Sequence, residues 1–130
     1  MRYHSRNIVK PGDLNPYGTL FGGRLLEWID EEAGLYSVIQ LESSRVVTKY
    51  MSEINFVSSA MPGDIVEIGL EVVKFGNSSL VLKCEARNKM TRQPIITVDN
   101  ITMVNLDETG KPSPHGKTEV IKGSDQQYEM

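Results

Sequence analysis

A chain of 130 residues fits one domain and can bury a core without a disulfide or metal staple. Its formal net charge of -3 offers no basic excess for nucleic acid or an anionic membrane, and its single cysteine, Cys84, can build neither an internal disulfide nor a thiolate metal cluster. The polar start from Met1 to Lys10 lacks the apolar centre of a secretory signal, and no run approaches the roughly 20 apolar residues of a membrane span, so a cytoplasmic protein is expected.

Tyr3 to Val9 reads as a short first strand, broken by Pro11-Gly12-Asp13. A loop then runs through Asn15-Pro16-Tyr17-Gly18. From about Gly22 to Leu41 the pattern turns helical. Steps of 100° place Leu25, Leu26, Trp28, Ile29, Ala33, Leu35, Tyr36 and Ile39 on one broad face, with Arg24, Glu27, Glu31 and Ser37 opposite. Glu32 and Gln40 intrude into the apolar arc, and Asp30 lies at its border. The remainder reads as strands. Val46 to Phe56 is rich in β-branched and aromatic residues, and Met61-Pro62-Gly63-Asp64 is a turn. Ile65 to Val73 alternates, with Val66, Ile68, Leu70 and Val72 on one side. Gly76-Asn77 marks a hairpin, after which Leu80, Leu82, Cys84 and Ala86 share a face. Cys84 is expected there as a small buried hydrophobe. The last strand covers Ile95 to Leu106, and its apolar parity changes after Val98, which predicts a bulge near Asp99-Asn100. From Asp107 to Met130 the composition shifts to Gly, Pro, Ser, Lys and Glu, so that an exposed or mobile tail is expected. Helix and strands are segregated, which argues for an α+β fold with an antiparallel sheet around one helix.

Chemistry is concentrated in Asn15-Pro16-Tyr17-Gly18-Thr19-Leu20-Phe21-Gly22-Gly23 and the helix that follows. Gly22-Gly23 opens the helix, where free backbone N–H groups stabilise negative charge and absent side chains allow close approach. A tight turn into the helix would serve the glycines equally well on the residues alone. Asp30 follows Gly23 by seven residues, roughly 10 Å along the axis at ~1.5 Å per residue. At that distance it does not reach its own helix mouth directly, and a second copy of the chain is the natural source of the missing half. A carboxylate at the edge of a buried face suits a general base acting on water, although a solvated helix carboxylate has the same signature.

Asn15-x-x-Gly18-x-x-x-Gly22-Gly23 followed by Ile29-Asp30-Glu31-Glu32-Ala33-Gly34 resembles the hotdog-fold acyl-CoA thioesterases. The likeness is to the branch that holds bacterial acyl-CoA thioester hydrolases and the cytosolic acyl-CoA hydrolases of animals. Arg45-Val46-Val47-Thr48, Phe56 to Pro62-Gly63-Asp64 and Gly76-Asn77-Ser78-Ser79 extend it over roughly residues 8 to 106. The resemblance implies a hotdog fold over 1–106, a five-stranded antiparallel sheet wrapped around one long helix. It implies Asp30 as the catalytic aspartate, Asn15 as the asparagine that positions thioester or water, and Gly23 as the glycine whose N–H polarises the carbonyl. Asn15 and Asp30 would come from different subunits of a homodimer, and dimers would assemble as trimers. Phe21 replaces the histidine often found before the glycines, which disfavours the hotdog dehydratases.

The implied substrate is an acyl-CoA. Gly22 and Phe21 would line the thioester site. Lys74, Asn77, Ser78 and Ser79 flank a hairpin resembling the family's coenzyme A contact region. Thr48 and Phe56 are taken as pocket residues, with core filling as the other reading. Coenzyme A belongs to substrate and product, so no cofactor is expected. His4, His115 and Cys84 have no ligand spacing, so no metal is expected. Two alternatives stand beside hydrolysis: a non-catalytic acyl-CoA or acyl-carrier-protein binding module, and a dehydratase or hydratase. Attack by Asp30 itself through a mixed anhydride is open beside the general-base route.

Overall fold

The computed structural model describes residues 1–121. Strand β1 (Arg2–Ile8) leads through a 3-10 turn (Pro11–Asp13) to helix α1 (Gly22–Leu41). Four strands follow: β2 (Val46–Phe56), β3 (Ile65–Phe75), β4 (Ser79–Asn88) and β5 (Pro94–Asn105). They form one antiparallel sheet of order β1-β3-β4-β5-β2. Helix α1 packs on β2, β3, β4 and β5, so the sheet wraps it.

The alternation read from the sequence is the inner face of the sheet. Val66, Ile68 and Leu70 of β3 and Leu80, Leu82, Cys84 and Ala86 of β4 are buried against Leu25, Ile29 and Ala33 of the helix. The bulge lies where the apolar parity changes. Leu82 pairs with Ile101 and Cys84 with Val98, so Asp99 and Asn100 together oppose Lys83. That extra residue returns Ile101 and Met103 to the buried face.

Helix α1 departs from the expected faces. Ser37, expected on the polar side, is 0 % exposed, while Leu35 and Ile39, expected inside, are 55 % and 54 % exposed. The buried stripe runs Leu25, Ile29, Ala33, Tyr36, Ser37, Gln40 and Leu41. Leu35, Val38 and Ile39 form a second apolar face that the protomer leaves uncovered. Edge strand β2 is uncovered too, with Val47, Tyr50 and Phe56 exposed.

Residues 107–121 run mostly exposed but are bonded to the domain. His115 donates its backbone N–H to Asn77 O (3.1 Å) and its Nε2–H to Ser79 O (2.8 Å). Lys117 pairs with Glu42, and Ile121 N–H donates to Oε1 of buried Gln40 (2.9 Å). The rest of the tail expected over 107–130 lies outside the described residues. Among the described residues no helix is long and apolar enough to cross a membrane.

Candidate active site

The loop before the helix is closed on itself by Asn15. Leu14 and Leu20 bridge antiparallel, and Asn15 N–H donates to Thr19 O at 2.8 Å. Asn15 Oδ1 accepts the backbone N–H groups of Tyr17 (2.9 Å) and Thr19 (3.2 Å), while Nδ2 donates to Thr19 Oγ1 (2.9 Å). Gly18 closes the turn at φ +82°, where a side chain would be strained. Two backbone donors on Oδ1 fix which way the amide faces. One Nδ2 N–H then remains for a ligand. The sequence left Asn15 to hold thioester or water; this geometry makes it a hydrogen-bond donor.

Phe21 is the N-cap residue of α1 and offers no side-chain cap. Its own N–H donates to Asp13 O (2.8 Å), and its carbonyl accepts Arg24 and Leu25 N–H (3.0 and 3.2 Å). The N–H groups of Gly22 and Gly23 have no partner among the described residues. Such a pair at a helix start carries partial positive charge and suits an oxyanion. The glycines themselves have a different immediate use from the one expected. A Cβ on Gly22 would stand 2.8 Å from Phe56 Cε1, and one on Gly23 would stand 2.7 Å from Phe21 Cε1. Two aromatic rings, not an open approach, occupy the space the missing side chains leave. Beside them a cavity of about 340 Å³ is lined by Asn15, Thr19, Gly22, Leu25, Phe56 and the segment 57–60. Phe56 is 62 % exposed, so it is a wall of this cavity and not core.

Asp30 and Thr48 are brought together elsewhere. Thr48 Oγ1 donates to Asp30 Oδ1 at 2.5 Å, and both residues are exposed. Neither lines the cavity. Thr48 is therefore a partner of the carboxylate and not a wall of this pocket. Its bond holds one oxygen of this exposed carboxylate.

Lys74, Asn77, Ser78 and Ser79 do not join the cavity either. The hairpin carbonyls are occupied: Asn77 O and Ser79 O by His115, Ser78 O by Asn105 N–H (2.8 Å). In register, Thr48 faces Met103 and Met103 faces Leu80, so the hairpin base lies two strands from Thr48, about 10 Å at ~4.8 Å per strand. The predicted residues thus form three groups: the helix mouth, the Asp30–Thr48 pair and the hairpin.

The other titratable groups fit poorly as catalysts. Burial pushes the Cys84 thiol up to about 12, which makes it a poor nucleophile. Burial also raises Glu32, against the opposing charge of His4. Among the described residues no three His, Cys, Asp or Glu side chains cluster as a metal would need. Sequence reasoning named Thr19 only as part of its segment and missed the 57–60 wall. Leu20 N–H donates to Ala60 O (2.8 Å), which is what brings the 57–60 segment to the loop.

The pattern of the thioesterase superfamily matches residues 17–95. Acyl-CoA thioester hydrolase YciA of Salmonella typhimurium is 30 % identical over 115 residues, covering 84 % of this chain and 86 % of that protein. A hexameric hotdog fold thioesterase of Campylobacter jejuni superposes with a TM-score of 0.74 at 25 % identity, covering 88 % and 90 % of the two chains. An acyl-CoA hydrolase from Staphylococcus aureus, solved with butyryl coenzyme A and coenzyme A, has a TM-score of 0.75 at 29 % identity, covering 85 % and 66 %. That enzyme has also been solved with an aspartate, a threonine or an asparagine replaced by alanine. Its aspartate follows its asparagine by fifteen residues, the separation of Asn15 and Asp30 here. The architecture described above is the hotdog fold.

Proposed function

The chain belongs to the thioesterase superfamily, and from that membership we propose that it hydrolyses acyl-CoA thioesters at a site shared by two protomers. The observation that carries the reading is the pair of unpartnered N–H groups at Gly22 and Gly23, of which Gly22 lines a cavity together with Asn15 and Gly23 follows it in the helix without lining that cavity. Gly23 N–H, with the spare Nδ2 N–H of Asn15, polarises the thioester carbonyl. Asp30, oriented by Thr48, takes a proton from water as the water oxygen bonds to the carbonyl carbon. The oxyanion then collapses, the C–S bond breaks, and coenzyme A leaves as a thiolate that takes up the proton. Coenzyme A arrives and departs with the substrate, so the reaction needs no cofactor. The hairpin with Lys74, Asn77, Ser78 and Ser79 contacts its nucleotide end.

Two observations support a shared site. Asp30 stands roughly 10 Å along the helix from Gly23 at ~1.5 Å per residue. Edge strand β2 has one free edge of eleven residues and exposed apolar side chains, which is a template for strand pairing with a second copy. Pairing along β2 would bring Asp30 of one chain toward Asn15 and Gly23 of the other. Three such dimers form a hexamer, the assembly of the Campylobacter relative. A cytoplasmic location follows from the substrate.

The test is to mix the protein with acyl-CoA esters of graded chain length and follow free thiol. Hydrolysis releases one thiol per acid. Tight binding without thiol release would replace the reading with a binding module, and loss or gain of water at the acyl chain would replace it with a dehydratase or hydratase. Gly23→Ala is a second expectation. Its Cβ displaces the Phe21 ring, so turnover should fall about tenfold, while a thermal melt stays close to that of the parent. An unchanged rate would detach Gly23 from the reaction.

A further inference from the structure

Asp13 stands at the joint between the Asn15 loop and the helix mouth, and it is only 9 % exposed. Its Oδ2 accepts the backbone N–H of Lys10 (2.9 Å), closing the turn that begins the loop. Its backbone carbonyl accepts Phe21 N–H (2.8 Å) at the other end of the loop. Its Oδ1 lies 3.4 Å from Arg24 Nε on the first turn of the helix. Arg24 Nη1 also meets Glu27 (3.2 and 3.3 Å) on the exposed side. One residue therefore ties the start of the loop, its end and the helix together. Phe21 N–H is satisfied in this way, while Gly22 and Gly23 N–H stay free as the first N–H groups of a helix do.

This arrangement has an electrostatic cost. The Asp13 carboxylate belongs to the residue whose carbonyl holds the N-cap Phe21, so its negative charge opposes an oxyanion at Gly22 and Gly23. Arg24 lies against the carboxylate and offsets it. We propose that Asp13 and Arg24 are a positioning pair for the reaction, Asp13 setting the loop on the helix mouth and Arg24 cancelling its charge at the oxyanion site. Neither touches the substrate. The inference rests on the reading of the site as a thioesterase.

The charge half is tested by kinetics on the full-length protein. Arg24→Gln leaves Asp13 unpaired, so kcat should fall about tenfold with KM within about twofold. Asp13→Asn keeps an acceptor for Lys10 N–H and removes the opposing charge while Arg24 keeps its own, so kcat should not fall and should rise by up to about twofold. The double variant Asp13→Asn/Arg24→Gln removes both charges and should recover kcat by about threefold or more over Arg24→Gln. A merely structural pair would lower the melting temperature of Arg24→Gln in step with kcat, whereas the charge role lowers kcat with the melt close to that of the parent. An Arg24→Gln enzyme with unchanged kcat, or a double variant no faster than Arg24→Gln, overturns the charge role. The positioning half is read without turnover, by amide hydrogen exchange. Asp13→Ala should speed exchange at Lys10, Thr19 and Phe21, and Asp13→Asn should restore protection. Unaltered exchange at Phe21 in Asp13→Ala overturns it. A parent enzyme that releases no thiol would refute the proposed function, while the exchange data would still decide the positioning role.

Discussion

Asp30→Asn should cut thioester turnover by about a thousandfold, within the range a positioned general base contributes, with KM changed little and the protein still folded. The two side chains have the same shape. An amide oxygen still accepts the Thr48 hydroxyl that now meets Asp30 Oδ1 at 2.5 Å. Asp30 is exposed in the protomer, so no buried ion pair is broken and little stability is lost. What disappears is the ability to take a proton from water. Thr48→Val separates orientation from basicity: it keeps the base and removes the bond that aims it, and should cost only about ten- to thirtyfold. Thiol release under saturating acyl-CoA measures both. Asp30→Asn turnover within tenfold of the parent would remove Asp30 as the base.

The fold was legible where one period dominated. A long 3.6-residue pattern defined Gly22–Leu41, and strict alternation defined β3 and β4. Even the bulge at Asp99-Asn100 could be read, because a parity change in a strand buried on one face has few other solutions. The helix faces were less legible. Apolarity marks what must leave water without saying whether the cover is the same chain or another. Leu35, Val38 and Ile39 look like core and are uncovered in the protomer, whereas Ser37 looks polar and is buried. Glu67 shows the same limit in the sheet. Its place on the polar side of β3 predicts exposure, yet it is buried beneath Arg87, which bonds it at 2.6 Å and stacks over Tyr3.

In the candidate site, position was legible and direction was not. The spacing of Asn15, Gly22, Gly23 and Asp30 is local, so it shows in the chain. The orientation of the Asn15 amide depends on backbone donors at Tyr17 and Thr19, which no residue pattern displays. Asp13 read simply as part of a Pro-Gly-Asp turn. Its contact with Arg24 spans a loop and a helix, and side-chain type alone does not announce it. The aromatic rings on Gly22 and Gly23 come from N-cap Phe21 and from the end of β2, thirty-odd residues away, so the need for glycine was visible but its cause was not.

Mixing two inactive variants should restore about a quarter of the parent activity if each site takes Asn15 and Asp30 from different chains. Asn15→Asp is the variant to pair with Asp30→Asn. It keeps acceptors for Tyr17 and Thr19 N–H, so the loop stays closed, but it removes the donor aimed at the carbonyl and places negative charge at the oxyanion. Each variant alone should retain about 1 % of turnover or less. Random pairing of equal amounts makes half of the dimers mixed. In a mixed dimer one site receives Asn15 from the Asp30→Asn chain and Asp30 from the Asn15→Asp chain, and is intact. The other site carries both substitutions and is dead. Half of the dimers with one working site of two is a quarter of the sites. Co-expression with two affinity tags isolates the mixed dimer, which should then reach about half of the parent rate per dimer. The alternative geometry gives a different number. If Asn15 and Asp30 of one chain served the same site, every site in every pairing would lack one of them, and the mixture would stay at the level of its parents. The roughly 10 Å between Gly23 and Asp30, at ~1.5 Å per residue, and the open edge of β2 favour the first outcome.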